Sequence, residues 1–121
     1  MTSFIFQGGN MKTSLMAFAV GVSLVASSAA GAAVTQDQAM ALIKDKKMDC
    51  MNCHAIDKKV VGPSWKEVGV KYRGQAGAKA KLVEKVKKGG SGSWGKAPMN
   101  PHPTASDADL GALIDFILTL K

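Results

Sequence analysis

Apolar residues recur at helical spacing in four separate stretches of this chain, each with its own end signals. Thr35 followed by Gln38 has the spacing of a capping box, in which each side chain satisfies the other residue's free backbone N–H. Met40 and Ile43 give the helix that starts there an apolar side, and it is expected to run to about Lys47. Ser64 and Glu67 repeat the device after Pro63. Trp65, Val68 and Tyr72 then share one face, which predicts a short second helix ending before Gly74. A third is expected over Ala78–Lys88, with Leu82, Val83 and Val86 inward and lysines 85, 87 and 88 at the negative end of the helix dipole. Gly89-Gly90 stops it. The last begins near Ser106, with Asp109 three residues on, and carries Leu110, Leu113, Ile114, Ile117 and Leu118 as an apolar stripe. Gly111 on that helix would let another helix cross closely. The stretch from Gly89 to Pro103 has glycines, three prolines and no helical period, so it is expected to be a loop. Its length in so small a domain suggests that it wraps something. No stretch alternates with a strand's period, and the fold class is all-α.

The N-terminal part follows a different pattern. Lys12 is its only charge, residues Leu15 to Ala26 are almost all apolar, and small residues run from Ser27 to Ala33. A basic start, a short apolar run and a small-residue exit are the parts of a secretory signal. The run is too short to span a bilayer comfortably. Residues 1–33 are therefore expected to be a signal peptide cleaved near Ala33, with Ala32 the alternative. Met11-Lys12 would itself make a conventional signal start, which would make residues 1–10 an upstream extension. Residues 34–121 then form one domain, small enough to lean on a disulfide, metal or cofactor for stability.

Charge narrows the partners. Of the 16 lysines and arginines, 15 lie after Ala33 against 9 acids, a formal charge of +6 on the mature chain. Nucleic acid is disfavoured, because there is only one arginine, Arg73, no arginine-rich run, and an export signal ahead of the domain. A basic docking face for an acidic protein fits better.

The two cysteines carry the chemistry. Cys50-Met51-Asn52-Cys53-His54 reads C-x-x-C-H, the attachment signature of a c-type haem. Two thiols one turn apart can each bond a vinyl group on the porphyrin edge, and His54 is then the proximal iron ligand. Other uses of these residues compete. A Cys50–Cys53 disulfide is available outside the cytoplasm, but thioredoxin-like proteins set such a pair at a helix start after a strand. Zinc would need Cys50, Cys53, His54 and His102, and adjacent Cys53 and His54 point apart. Haem attachment explains the motif and the export signal together.

The sixth iron position needs a second ligand, and Met99 is the candidate. It lies in Trp94-Gly95-Lys96-Ala97-Pro98-Met99-Asn100-Pro101, where prolines on both sides stiffen the chain. Methionine is ordinarily a packing residue. In a rigid polar loop about 45 residues after the haem cysteines, packing explains it poorly. Met40, Met48 and Met51 lie too close to the attachment segment to reach the far haem face easily. Thioether ligation raises the potential relative to a two-histidine haem. With both axial positions filled, electron transfer is favoured over catalysis and no catalytic residue is expected.

These residues together resemble the small bacterial class I cytochromes c of the cytochrome c-551 type, also called cytochrome c8. The match rests on Cys50 to Asp57, Val61-Gly62-Pro63, Gly74-Gln75, Trp94-Gly95 and Pro98-Met99, in that order, with the terminal helix. The resemblance implies a four-helix fold around one covalently attached haem, with first and last helices crossing. It implies periplasmic electron transport from a membrane complex to a terminal oxidase or nitrite reductase. It further implies that the Pro63 carbonyl accepts the free ring N–H of His54, and that Trp94 donates its indole N–H to a haem propionate. Simple core packing of Trp94 is an equal alternative. Asn100 and His102 depart from the family's Pro-Met-Pro-Pro. Asn100 is expected either near the sulfur or as a solvent-facing turn residue, and His102 as an exposed loop residue. Lys85 stands where the family often has an arginine near the propionates.

The resulting expectation is a soluble, monomeric, periplasmic one-electron carrier. Cys50 and Cys53 attach the haem, His54 and Met99 ligate iron, and Pro63 and Trp94 form its surroundings. Lysines 46, 47, 58, 59 and 96 are expected near the haem edge, steering it to acidic redox donors and acceptors. The competing functions are an open-site haem enzyme or sensor, should Met99 not bind, and a haem-free thiol–disulfide protein.

Overall fold

The computed structural model describes residues 31–121. The expected signal peptide falls mostly on residues 1–30, outside the described residues. From Val34 onward the elements are α1 (Gln36–Asp45), a single 3-10 turn (Cys50–Asn52), α2 (Trp65–Tyr72), α3 (Ala78–Lys88), β1 (Gly90–Gly92), β2 (Gly95–Met99) and α4 (Asp107–Thr119).

The starts of α1 and α2 are written locally. Thr35 and Gln38, and again Ser64 and Glu67, make both halves of a capping box. Ser106 caps α4 by accepting from the Asp109 N–H at 3.1 Å. At the far end of α3, Gly89 takes a φ of 66° and turns the chain out of the helix.

The stretch after Gly89 corrects one expectation. It is a small antiparallel hairpin, with Gly90 opposite Met99 and Gly92 opposite Gly95 and an irregularity between these pairs. Both strands are exposed except at Met99, so no alternation of apolar and polar residues announces them. Glycines 90, 92 and 95, all at positive φ, set the pairing instead.

Helix α4 is the centre of the core, and α1, α2 and α3 each pack against it. Leu110 and Ile114 are its most deeply buried side chains, with Leu113, Phe116 and Ile117 beside them. They meet Ala39 and Ile43 of α1, Trp65 and Val68 of α2, and Leu82 of α3. Trp65 meets Phe116 edge-on, with ring centroids 6.2 Å apart. The glycine that admits a close helix approach is Gly69 of α2. A Cβ there would stand 2.5 Å from the Ile117 carbonyl oxygen, whereas Gly111 faces only the flexible end of Lys79. Arg73 completes the α2–α4 contact by donating from Nε to the Leu118 carbonyl at 2.8 Å and from its other nitrogen to that of Leu120. It therefore satisfies carbonyls that a helix end leaves free.

Candidate haem site

The attachment segment is folded tightly on its own backbone. Lys47 takes a φ of 52° to turn the chain out of α1, and Met48 drops into the core. The 3-10 turn follows, closed by hydrogen bonds from the Cys53 and His54 amides to the Cys50 carbonyl. In this geometry side chains three residues apart eclipse, which puts both thiols on one face. The chain then loops back: the Gly62 amide donates to the Cys53 carbonyl at 2.8 Å, and Trp65 to Ala55 at 2.9 Å. This return brings the Pro63 carbonyl 2.7 Å from His54 Nδ1. The ring therefore holds its proton on Nδ1, and Nε2 keeps its lone pair without a hydrogen-bond partner among the described residues. Gly62 lies flat against the same ring, since a Cβ would stand 2.7 Å from its Cε1.

The hairpin lines the same cleft as the attachment segment. Trp94, Ala97, Pro98 and Met99 line one cleft together with Cys50, Cys53 and His54. Its floor is apolar: Val68 and Leu82 from α2 and α3, and Leu113, Ile114 and Ile117 from α4. The cleft holds about 1190 Å³ of space, its open mouth included. Of the methionines among the described residues, Met99 alone lines it; Met48 is in the core, Met40 packs against the core and Met51 faces solvent. Gly89 lets the ends of the hairpin close, because a Cβ there would collide with the Met99 carbonyl and come 2.8 Å from Pro101 N.

Other residues differ from expectation. Trp94 is not simple core packing: the residue is 37% exposed, Lys71 Nζ sits 4.2 Å from its ring centroid, and the Tyr72 ring lies 6.4 Å from it, centroid to centroid. Lys71 also donates to the Ser93 carbonyl at 3.0 Å, clasping the hairpin tip to α2. His102 is not an exposed loop residue. Its side chain is 16% exposed and its Nε2 lies 3.3 Å from Asp49 Oδ1. Asn100 does face solvent. Lys46, expected to be a free steering charge, pairs with Asp109 at 3.3 Å. Lys85 is half-buried, lines the cleft and has no carboxylate partner among the described residues, while Lys87 and Lys88 on the same helix pair with Asp107 and Glu84. Tyr72 and Asp49 also line the cleft. Their sequence surroundings carried no signal for it, because Tyr72 fits a helix face and Asp49 a turn.

The donor set fits haem better than its rivals. Cys50 and Cys53 are free thiols, and no cluster of three or more metal-binding side chains occurs among the described residues. Burial, with a smaller push from Asp49, holds the Cys50 thiol above its ordinary range.

Comparison with known proteins agrees. The cytochrome c family model matches residues 28–121. The chain is 53% identical over 76 residues to cytochrome c-551 of Azotobacter vinelandii, covering 63% of this chain and 92% of that one. The crystal structure of wild-type Nitrosomonas europaea cytochrome c552 superposes with a TM-score of 0.62 at 45% identity, over 68% of this chain and 99% of that one. The class 1 cytochrome MtoD of Sideroxydans lithotrophicus gives 0.59 at 36% identity, over 72% and 97%.

Proposed function

This chain belongs to the cytochrome c family and carries one covalently bound haem c, and we propose that it works as a soluble, periplasmic, monomeric one-electron carrier between respiratory redox proteins. In this proposal residues 1–33 are the export signal and residues 34–121 the functional domain. Cys50 and Cys53 form the thioether links, and His54 and Met99 are the axial ligands. The observation that supports the proposal is that one apolar-floored cleft is lined by both thiols, by His54 and by Met99.

The bound haem iron supplies the reversible one-electron exchange. The chain does the rest. Pro63 fixes the His54 ring by taking its Nδ1 proton in a hydrogen bond, which leaves Nε2 to ligate. The Met99 thioether favours the reduced state and raises the potential over a two-histidine site. The apolar floor keeps water from the buried side of the ring. Lys85 and Trp94 line the cleft and would supply a cation and an N–H donor to the haem propionates. Val60 and Val61, exposed at 48% and 52%, lie beside Lys58 and Lys59. With these two lysines they offer an exposed apolar contact beside positive charge to an acidic donor or acceptor.

The test is an anaerobic redox titration of the purified haem protein with carbon monoxide present and absent. A single reversible one-electron couple, unmoved by carbon monoxide, supports the carrier. A ferrous form that takes up carbon monoxide readily would make the site open and the enzyme or sensor function correct.

A further inference from the structure

One side-chain contact joins the end of the hairpin to the attachment segment. His102, three residues past Met99, donates its backbone N–H to the Val86 carbonyl at 3.0 Å and sets Nε2 3.3 Å from Asp49 Oδ1. Asp49 immediately precedes Cys50 and stands at the start of the 3-10 turn that presents both thiols. Both side chains line the cleft. The lysine–carboxylate ion pairs among the described residues tie helices, their flanks or neighbouring turns to one another: Lys46–Asp109, Lys79–Asp115, Lys87–Asp107 and Lys88–Glu84.

The hairpin needs such a tie. It is exposed along nearly its whole length, so burial does little to fix its position, and its glycines at positive φ leave the chain few side chains with which to pack. The Lys71 clasp acts at the tip, whereas Met99 is at the other end, next to His102. We propose that Asp49 and His102 form a latch that holds the hairpin against the attachment segment and so positions the Met99 sulfur. This rests on the ligand role of Met99 proposed above. Both residues act as positioning residues, because neither bonds the haem.

The remaining titratable groups lining the cleft are Cys50, Cys53 and His54 from the attachment segment, Tyr72 from α2 and Lys85 from α3. The first three are taken up by the haem. Around the start of α4, Asp107 and Asp109 are already paired with Lys87 and Lys46.

The test uses the ferric, haem-loaded protein. Heating is followed by two signals: the weak red absorption band of sulfur-ligated ferric haem, and far-UV circular dichroism of the helices. Asp49→Asn and His102→Gln are each expected to lose the band about 4 °C or more below the wild type, with the helical midpoint moving less. The double variant should be no worse than the worse single variant, since either change opens the latch. Equal band-loss temperatures in wild type and variants, or band and helices falling together by the same amount in the variants, would overturn the latch. A wild type that shows haem but no red band at any temperature would overturn the ligand role of Met99 itself, a distinguishable failure.

Discussion

The two walls of the cleft are built by opposite means. The attachment wall, from Asp49 to Trp65, is held by backbone hydrogen bonds that close on themselves, with Pro63, Ser64 and Trp65 buried at its end. The hairpin wall has little buried surface and is held at single points: Gly89 at its base, Lys71 at its tip and His102 beyond Met99. One wall is therefore rigid by construction, and the other is rigid only while its few ties last. This assigns different failures to the two proposed ligands. Disturbing the attachment wall should cost folding and haem retention, whereas disturbing the hairpin should cost sulfur ligation first.

The largest expected effect comes from the attachment wall. Replacing both Cys50 and Cys53 by alanine should abolish covalent haem, read as complete loss of haem staining on a denaturing gel. Haem that stays with that double variant after denaturation would show the thiols are not the attachment points. Deep in the core beneath both walls, Ile114→Ala should destabilise the folded protein by about 2–5 kcal/mol in chemical denaturation. It should move the loss of the red band and the loss of helix together.

The paired glycine substitutions sharpen the contrast. Gly62→Ala pushes a methyl group into the His54 ring, and Gly89→Ala strains a positive φ while striking the backbone at Met99 and Pro101. Each should cost on the order of 1–3 kcal/mol. Gly62→Ala is expected to shift the main visible absorption and the folding midpoint. Gly89→Ala is expected to remove the red band from a protein whose helices still melt cooperatively. If the two variants gave the same pattern, the walls would not differ as described.

The smallest effect concerns the cap on α2. The Ser64 amide and hydroxyl hold the Glu67 carboxyl below its ordinary range. A carboxylate whose pKa is lowered by folding adds stability above its unfolded range, and that stability is lost as the pH falls through the lowered value. Ser64→Ala should cost about 1 kcal/mol at neutral pH, and the difference between variant and wild type should shrink on acidification below the usual carboxylate range. A difference that grew instead would contradict the capping account.

The same contrast explains what could be read from sequence. Helices α1 and α2 announced themselves through Thr35/Gln38 and Ser64/Glu67, because a capping box is complete within four residues. C-x-x-C-H was legible for the same reason. The hairpin was not, since Gly90–Gly92 and Gly95–Met99 have no buried face to impose a period and depend on glycine backbone angles. His102 looked like a loop residue because its partner, Asp49, is remote in sequence and meets it only when the cleft forms. Gly69 escaped notice because it lies within a capped helix, and the α4 carbonyls that require it are likewise remote in sequence. Local chemistry was readable, and the ties between distant segments were not.

The central claim is that Met99 completes the iron site with His54, and its most direct test is the absorption spectrum of the purified protein, oxidised and reduced. The account predicts a c-type haem spectrum with the weak red band of sulfur-ligated ferric haem, and loss of that band in Met99→Ala while the haem stays attached. A haem protein without the band, or a Met99→Ala variant that keeps it, would contradict the account.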